Sequence, residues 1–436
     1  MKRFSYSRIA VVGLGFFAIS VVWQLYNSFM PLMLGEFIES KTIRGSIMGL
    51  DNLANIFLIP LIAAWSDRLN TRFGQRLPFL LIGMPLAAVF MLLMPAYTSL
   101  AMLIVIDIGF LLSMTVFRAP TVSLMPDLTP PDKRSQANGI INLMGGIGSL
   151  LTLFVLAKLY DEQRSLPFAI GAAILLISLT ALVFALRPFF RRTDKTTASG
   201  EQASTEKQAD SPGIAASSDE LAEEASGPRG VISGLRHVLV DKNRSALFIL
   251  LAIFFWFVGY SGVEAQFTTY GVESLGLVAG DATFTIGFFS LAFLLFAVPS
   301  GFLAKRFGRV SLITTGICGL SVLFLSLFWI QDLMVIRIVL LVGGVFWALV
   351  NIHSYPLVVS FAGAGRIGLY TGLYYFFSSI AQTVGPAFVG LFMDLLGGPW
   401  MFIGSAASLL VSLLMLLTAR KSLIRESRST VAVISQ

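Results

Sequence analysis

Six ionisable side chains interrupt long apolar stretches of this chain: Asp51, Asp107, Arg118, Glu264, Arg337 and His353. A charge at the centre of a bilayer costs roughly 2.5 to 3.5 kcal/mol on insertion scales, so such a group turns toward a cavity or a partner. The chemistry open to these residues is binding and proton exchange. A carboxylate can take up and release a proton, and an arginine can anchor an anion. Counted at about 1.5 Å per residue from the basic ends of the apolar stretches, Arg118, Asn142, His353 and Tyr375 lie about 12 to 13 Å deep and Asn55 about 18 Å. By the same count Asp51 and Gln24 lie near about 24 Å and Glu264 near about 30 Å. Asp51 and Asn55 are four residues apart and share one face of a helix. The expected ligand layer is Asn55, Arg118, Asn142, His353, Tyr375 and Gln382, with Arg118 as its charged anchor, and Asp51, Glu264 and Gln24 are the candidates for ion coupling.

Each candidate also has a structural reading. Arg118 can hold a backbone carbonyl or an acid, Asp51 can make an interhelical hydrogen bond, and Glu264 can sit wet near the membrane boundary. Asp107 and Arg337 read as structural, and a lone histidine at a helix interface is commonly only hydrogen-bonded. Enzyme chemistry has no footing in the sequence. It contains two histidines, His237 and His353, one cysteine, Cys318, and no phosphate-binding loop, metal-ligand cluster or nucleophile triad. The expectation is no catalysis and no cofactor or metal, with any transport driven by an ion or substrate gradient.

The elements that position these residues follow from composition. With 56% hydrophobic and 13% charged residues over 436 positions, the chain cannot be arranged around one water-soluble core, and the bilayer must be its main solvent. Twelve stretches are long enough to cross as helices: 9–34, 45–66, 78–97, 99–126, 137–158, 166–187, 245–270, 282–304, 310–330, 333–361, 367–393 and 399–419. The first is far longer than a signal-peptide core and is read as retained. With both termini on one side, that side carries 25 of the 31 Lys and Arg, the other carries Lys41, Arg44, Lys158 and Arg164, and Arg118 and Arg337 fall within helices. This bias places the termini in the cytoplasm of a plasma-membrane protein, the inner membrane in a bacterial cell. The net charge of +7 is then topological and needs no nucleic acid.

The sequence is also duplicated. Residues 60–76 (PLIAAWSDRLNTRFGQR) and 299–309 (PSGFLAKRFGR) are versions of one apolar run closed by a basic, glycine-containing turn. Gln24 and Glu264, Pro60 and Pro299, Pro120 and Pro356, and Gly139 and Gly372 correspond at offsets of 233 to 240 residues. Two six-helix bundles are expected, 1–187 and 245–419, related by a two-fold axis along the membrane normal and enclosing a central cavity. A polar linker at 188–244 and a cytoplasmic tail at 420–436 complete the expected organisation. Within the linker, Val231–Val240 has the apolar spacing of an interfacial helix. The repeated turns supply the expected gating residues Asp67, Arg68, Arg72, Gly74, Arg76, Arg306, Gly308 and Arg309.

Ser66-Asp67-Arg68 followed by Arg72-Phe73-Gly74-Gln75-Arg76 resembles the helix 2 to 3 loop motif of the major facilitator superfamily, in the form found in sucrose-type transporters. Residues 118–148 are similar to the helix 4 to 5 region of that group and of the glycoside-pentoside-hexuronide cation symporters, and 260–276 to helix 7 of bacterial sucrose-transporter relatives. The resemblance implies a twelve-helix transporter in which Asp67 braces the two halves in an outward-open state. Lys305 stands at the matching place in the second copy, so a brace there differs in sign. Melibiose-type members carry an aspartate pair where this chain has Asn55 and Ile59, an acid at Arg118 and an arginine at Met144. These departures favour proton over sodium coupling and admit an anionic or sugar-acid substrate. The function implied is proton-coupled symport of a sugar, glycoside or related small polar metabolite by a monomer in the lipid bilayer. The alternatives are an exporter of amphipathic or lipid-like compounds and a non-transporting membrane sensor.

Overall fold

A computed structural model of the chain describes residues 6–69, 71, 74–130, 133–200, 244–360 and 367–434. Twelve long helices run through them. They are α1 (Tyr6–Gly35), α2 (Lys41–Arg68), α3 (Leu77–Leu93), α4 (Leu100–Leu128), α5 (Arg134–Leu151, continued through a π-helical stretch at Thr152–Leu156 into Ala157–Glu162) and α6 (Leu166–Gly200). The second half adds α7 (Ser245–Glu273), α8 (Ala279–Phe307), α9 (Arg309–Leu327), α10 (Leu333–Val359), α11 (Ile367–Leu396) and α12 (Trp400–Ile434). Each contains a stretch long and apolar enough to cross a membrane, so the chain is an all-α multi-pass membrane protein.

The expected helices are present, and their ends differ for a physical reason. Apolar length measures the membrane crossing, whereas the backbone helix continues into polar sequence of adequate propensity. Thus α6 runs past the expected 187 to Gly200 and α12 past 419 to Ile434, while α2 starts at Lys41 where 45 was expected. The segment Val231–Val240 lies outside the described residues.

The chain packs as two compact units, Met1–Tyr26 with Phe57–Ala216 and Asn27–Ile56 with Ser217–Gln436. The first two helices are thus divided, residues 27–56 belonging to the second unit. In the first unit α3 lies against α4 and α6. Small residues set these spacings, as they must where lipid tails remove the hydrophobic drive between helices. A Cβ on Gly148 of α5 would come within 2.5 Å of the Phe17 carbonyl oxygen of α1. The Thr152 hydroxyl donates to the Val21 carbonyl at 3.1 Å, tying the π-helical stretch to α1.

In the second unit α7 packs on α11 and α12, α8 on α10, and α9 on α10 and α12. Ser408 and Ser412 of α12 donate to the Phe255 and Ala252 carbonyls of α7 at 2.7 and 2.8 Å. The exposed faces are apolar, as lipid contact demands: Phe57, Leu61 and Trp65 on α2, and Leu295, Val298 and Phe302 on α8. The duplication is visible in backbone geometry. The turns after α2 and α8 both hold a glycine at positive φ, Gly74 at 83° and Gly308 at 76°, a region that L side chains rarely enter.

Candidate functional site

In the α2–α3 turn of the first unit, Arg76 is the centre. It directly precedes α3, and its side chain is nearly buried and forms ion pairs with Asp67 and, at 3.0 Å through Nε, with Asp127 at the end of α4. It also donates to the Ser66 hydroxyl. The turn is closed by Thr71, whose hydroxyl donates to the Gly74 carbonyl at 2.7 Å. Arg68 lies exposed in the last turn of α2, where a cation complements the helix dipole. Arg72 lies outside the described residues. Of the expected gating residues, Asp67 and Arg76 are therefore joined in one network, and Gly74 lies in the turn between them, bonded to Thr71. Asp127 was missed, although it stands within residues 118–148, the stretch that carries the helix 4 to 5 resemblance; its spacing from Pro126 and the turn after α4 gave no pairing signal.

The second copy builds a plainer turn. Arg309 opens α9 and donates to the Pro356 carbonyl of α10 at 3.3 Å, reaching the end of its neighbour much as Arg76 reaches α4. Arg306 lies over the Phe307 ring at 5.3 Å, and Lys305 and Gly308 are exposed.

Among the midlayer candidates of the first unit, Arg118 of α4 rests over the ring of Trp23 of α1 at 5.4 Å, a cation–π contact beside Gln24. Trp23 in turn meets Tyr26, which stacks on Phe110 of α4. Arg118 and Gln24 are both partly exposed, Asn142 of α5 is exposed, and Asp107 is buried. Arg118 is thus brought against α1 at the residue that precedes Gln24. The Trp23 platform was not anticipated.

In the second unit the carboxylate of Glu264 on α7 is hydrogen-bonded by Tyr260, one turn earlier on the same helix. The Tyr260 ring stacks on Trp347 of α10 with centroids 3.9 Å apart and planes at 10°, and it meets Phe289 of α8 at 5.9 Å. Phe257 packs edge-on against Trp347 and against Tyr374 of α11. Glu264 therefore sits on a rigid aromatic frame built from four helices. The i, i+4 pair Tyr260–Glu264 was legible as a spacing; the cross-helix stack was not.

Asp51 of α2 is buried and accepts from the Asn52 amide at 3.0 Å, and Asn55 is partly exposed one turn on. His353 of α10 is buried, with Nε2 3.1 Å from the Ser300 carbonyl of α8. Tyr375 of α11 is 60% exposed and lies beside Tyr355 and Tyr374. Gln382, two turns further along α11, donates to the Ser378 carbonyl at 3.2 Å. Tyr375, Ser378 and Gln382 share one helix face, whereas the His353 ring points to α8.

The densest polar cluster was not anticipated. Asp394, near the end of α11, accepts from the backbone N–H of Lys41 (2.8 Å) and Thr42 (2.9 Å) and from the hydroxyls of Ser40 and Thr42 (both 2.7 Å). The two backbone N–H groups are the first orphan donors of α2, capped by a carboxylate 352 or more residues away. Arg44, buried, pairs with Glu273 at the end of α7 at 2.8 Å and donates to the Glu39 carbonyl at 2.9 Å, while Lys41 pairs with the other Glu273 oxygen at 2.9 Å. Gln266 of α7 donates to the Lys41 and Pro386 carbonyls at 3.0 and 3.1 Å.

The sequence and fold have known counterparts. Over 155 residues the chain is 30% identical to siderophore iron transporter 2 of Schizosaccharomyces pombe, covering 34% of this chain and 26% of that protein. Over 121 residues it is 24% identical to sucrose transport protein SUC3 of Arabidopsis thaliana, covering 23% of this chain and 20% of that protein. The matched stretches thus span about a quarter and a fifth of these curated relatives. A crystal structure of the peptide transporter POT in complex with sulfate superposes with a TM-score of 0.71 over 97% of this chain and 96% of that one, at 12% identity, a likeness of fold. The sequence pattern of the Major Facilitator Superfamily matches residues 12–386, and the chain belongs to that family of transporters.

Proposed function

We propose that the chain is a secondary active transporter that moves a sugar, glycoside or sugar acid together with a proton by alternating access. The observation that carries this reading is Glu264. It is a carboxylate within a membrane-spanning helix, held by Tyr260 on an aromatic frame, and an ionisable residue at such a place is by default a functional one. Asp51, buried in α2, is the second coupling candidate. Arg118 on its Trp23 platform is suited to hold an anionic or hydroxyl-rich ligand, with Asn142 in the same unit. Asn55, Tyr375 and Gln382 present further polar groups in the second unit, where His353 is held against the Ser300 carbonyl of α8. The 25 to 4 distribution of Lys and Arg supports cytoplasmic termini in the plasma membrane, which puts the Asp394 cluster at the outer face and the Arg76 cluster at the inner one. Asp67 of the Arg76 cluster and the turn glycines Gly74 and Gly308 are the gating residues of this reading.

The test is uptake by the purified full-length chain in proteoliposomes, against a panel of labelled sugars and sugar acids, with an imposed proton or sodium gradient. Accumulation of one of these driven by the proton gradient supports the reading. Accumulation driven only by sodium, or uptake of none of the panel, overturns it.

A further inference from the structure

Arg337 is a cation inside a membrane-spanning helix, and among the described residues no acid pairs with it, whereas Arg44 of the same unit is paired with Glu273. It lies on the second turn of α10, about 6 Å along the helix from Leu333. Its Nε donates to the Thr285 hydroxyl oxygen of α8 at 3.2 Å. That hydroxyl gives its own proton to the Asp281 carbonyl at 2.8 Å and so meets Arg337 as an acceptor. The guanidinium lies over the rings of Phe284 and Phe288, 5.2 and 5.8 Å from their centroids, and these two rings pack edge-on one turn apart on α8. Hydroxyl and rings fix the position of the charge without neutralising it. The four N–H bonds of the two terminal nitrogens have no acceptor among the described residues, and neither nitrogen is enclosed by protein.

The surroundings of that open side are apolar. Met334, Ile338 and Leu341, the neighbours of Arg337 on its face of α10, are exposed, and so is Leu295, two turns beyond Phe288 on α8. Thr285 lies about 9 Å into α8 from Ala279, so its bond holds the arginine along the helices and away from the loops, where its charge could end in bulk water. A charge held there is stabilised by an anion. We propose that Arg337 binds the phosphodiester of a membrane phospholipid, its terminal nitrogens donating to two phosphate oxygens and one acyl chain lying along the exposed apolar faces of α8 and α10. The planar fork of a guanidinium matches a pair of phosphate oxygens. The headgroup layer of a bilayer is about 5 to 8 Å thick, which is the depth of Arg337 in α10. A dissolved phosphate ion would have to leave water for an apolar face, whereas a phospholipid brings its phosphate and its apolar chains together. The leaflet is the one that α10 enters first, the outer one in the orientation proposed above, and the site does not depend on what the chain carries.

The test is native mass spectrometry of the full-length chain, purified in detergent and titrated with palmitoyl-oleoyl phosphatidylglycerol, with the matching diacylglycerol and inorganic phosphate as separate ligands. The wild-type chain should hold one tight copy of phosphatidylglycerol above the weakly bound background. Arg337→Gln should weaken that copy about tenfold, the size of one lost hydrogen bond to a charged group, and diacylglycerol and inorganic phosphate should each bind the wild type weaker by about tenfold or more. Arg244→Gln removes an exposed arginine at the start of α7 and controls for net charge; it should keep the tight copy. An affinity of Arg337→Gln within about twofold of the wild type, or an equal loss in Arg244→Gln, overturns the proposal. Inorganic phosphate that binds as tightly as the lipid makes this a site for a soluble anion and overturns it as well. If Arg337→Gln loses its helical circular dichroism, the wild-type chain decides. A photoactivatable phosphatidylglycerol with its diazirine near the glycerol should then crosslink within residues 279–295 or 333–342, and crosslinks confined to other helices overturn the proposal.

Discussion

Removing Asp67 and Asp127 together should cost far more than the sum of removing each. Each carboxylate is about two-fifths exposed, 41% and 40%, while the Arg76 side chain they share is 11% exposed. A single ion pair of that exposure contributes about 0.2 to 1 kcal/mol, so Asp67→Asn or Asp127→Asn alone leaves Arg76 paired and costs at most about 1 kcal/mol. The double variant leaves a nearly buried guanidinium without either of its paired carboxylates, facing only the neutral acceptors of Ser66 and the two introduced amides. An uncompensated buried charge costs about 3 to 5 kcal/mol, and the partial exposure of this site places the expected value near the lower end, about 3 kcal/mol. The coupling between the two positions is then at least about 1 kcal/mol. The assay is reversible unfolding of the full-length chain in graded SDS, followed by helical circular dichroism. A third variant sharpens it, because adding Arg76→Gln to the double variant removes the stranded charge and should recover stability. Losses that add within about 0.5 kcal/mol, or a triple variant less stable than the double, would refute the view of Arg76 as one cation serving two acids.

Gly308→Ala should destabilise by about 1 to 3 kcal/mol, since Gly308 has φ 76° and ψ 149°, a conformation essentially restricted to glycine; an added Cβ meets nothing within 4 Å there, so a cost near zero in the same SDS titration would contradict the conformational origin. Ser408→Ala and Ser412→Ala should each cost only about 0.6 kcal/mol despite their burial, the average for interhelical hydrogen bonds in a membrane; losses above about 2 kcal/mol would mean that these hydroxyls do more than join α12 to α7. Tyr260→Phe keeps the stack on Trp347 but removes the hydroxyl that holds Glu264, and should alter proton-driven accumulation with stability nearly unchanged; identical pH dependence of uptake would show that the hydroxyl has no part in coupling.

The helices were legible because hydropathy over twenty residues is a strong, local signal, and the repeated turns were legible because a glycine and flanking arginines recur at fixed spacing. Contacts set by the packing of distant segments were not. Nothing in Asp394 or Glu273 marks either as a partner of α2, and the start of α2 at Lys41 follows from that cap and from Ser40, whereas apolar content alone suggested 45. The GxxxG spacing of Gly45 and Gly49 could have been read as a close-packing face, though not its target on α11. Arg118 was picked out by its charge in an apolar stretch; its seat on Trp23 depends on how α1 and α4 pair. His353 stood out for the same reason and proves to face the Ser300 carbonyl, the kind of partner open to any buried histidine.

Coupling through Glu264 is tested most directly by proton flux itself. Proteoliposomes holding the full-length chain and a trapped pH-sensitive dye are given substrate with no imposed gradient, and the internal pH is followed. The account predicts acidification on adding substrate to the wild-type chain. In Glu264→Gln that acidification should vanish and accumulation with it, while exchange of labelled for unlabelled substrate persists. Substrate-driven acidification of undiminished size in Glu264→Gln, and again in Asp51→Asn, would contradict it.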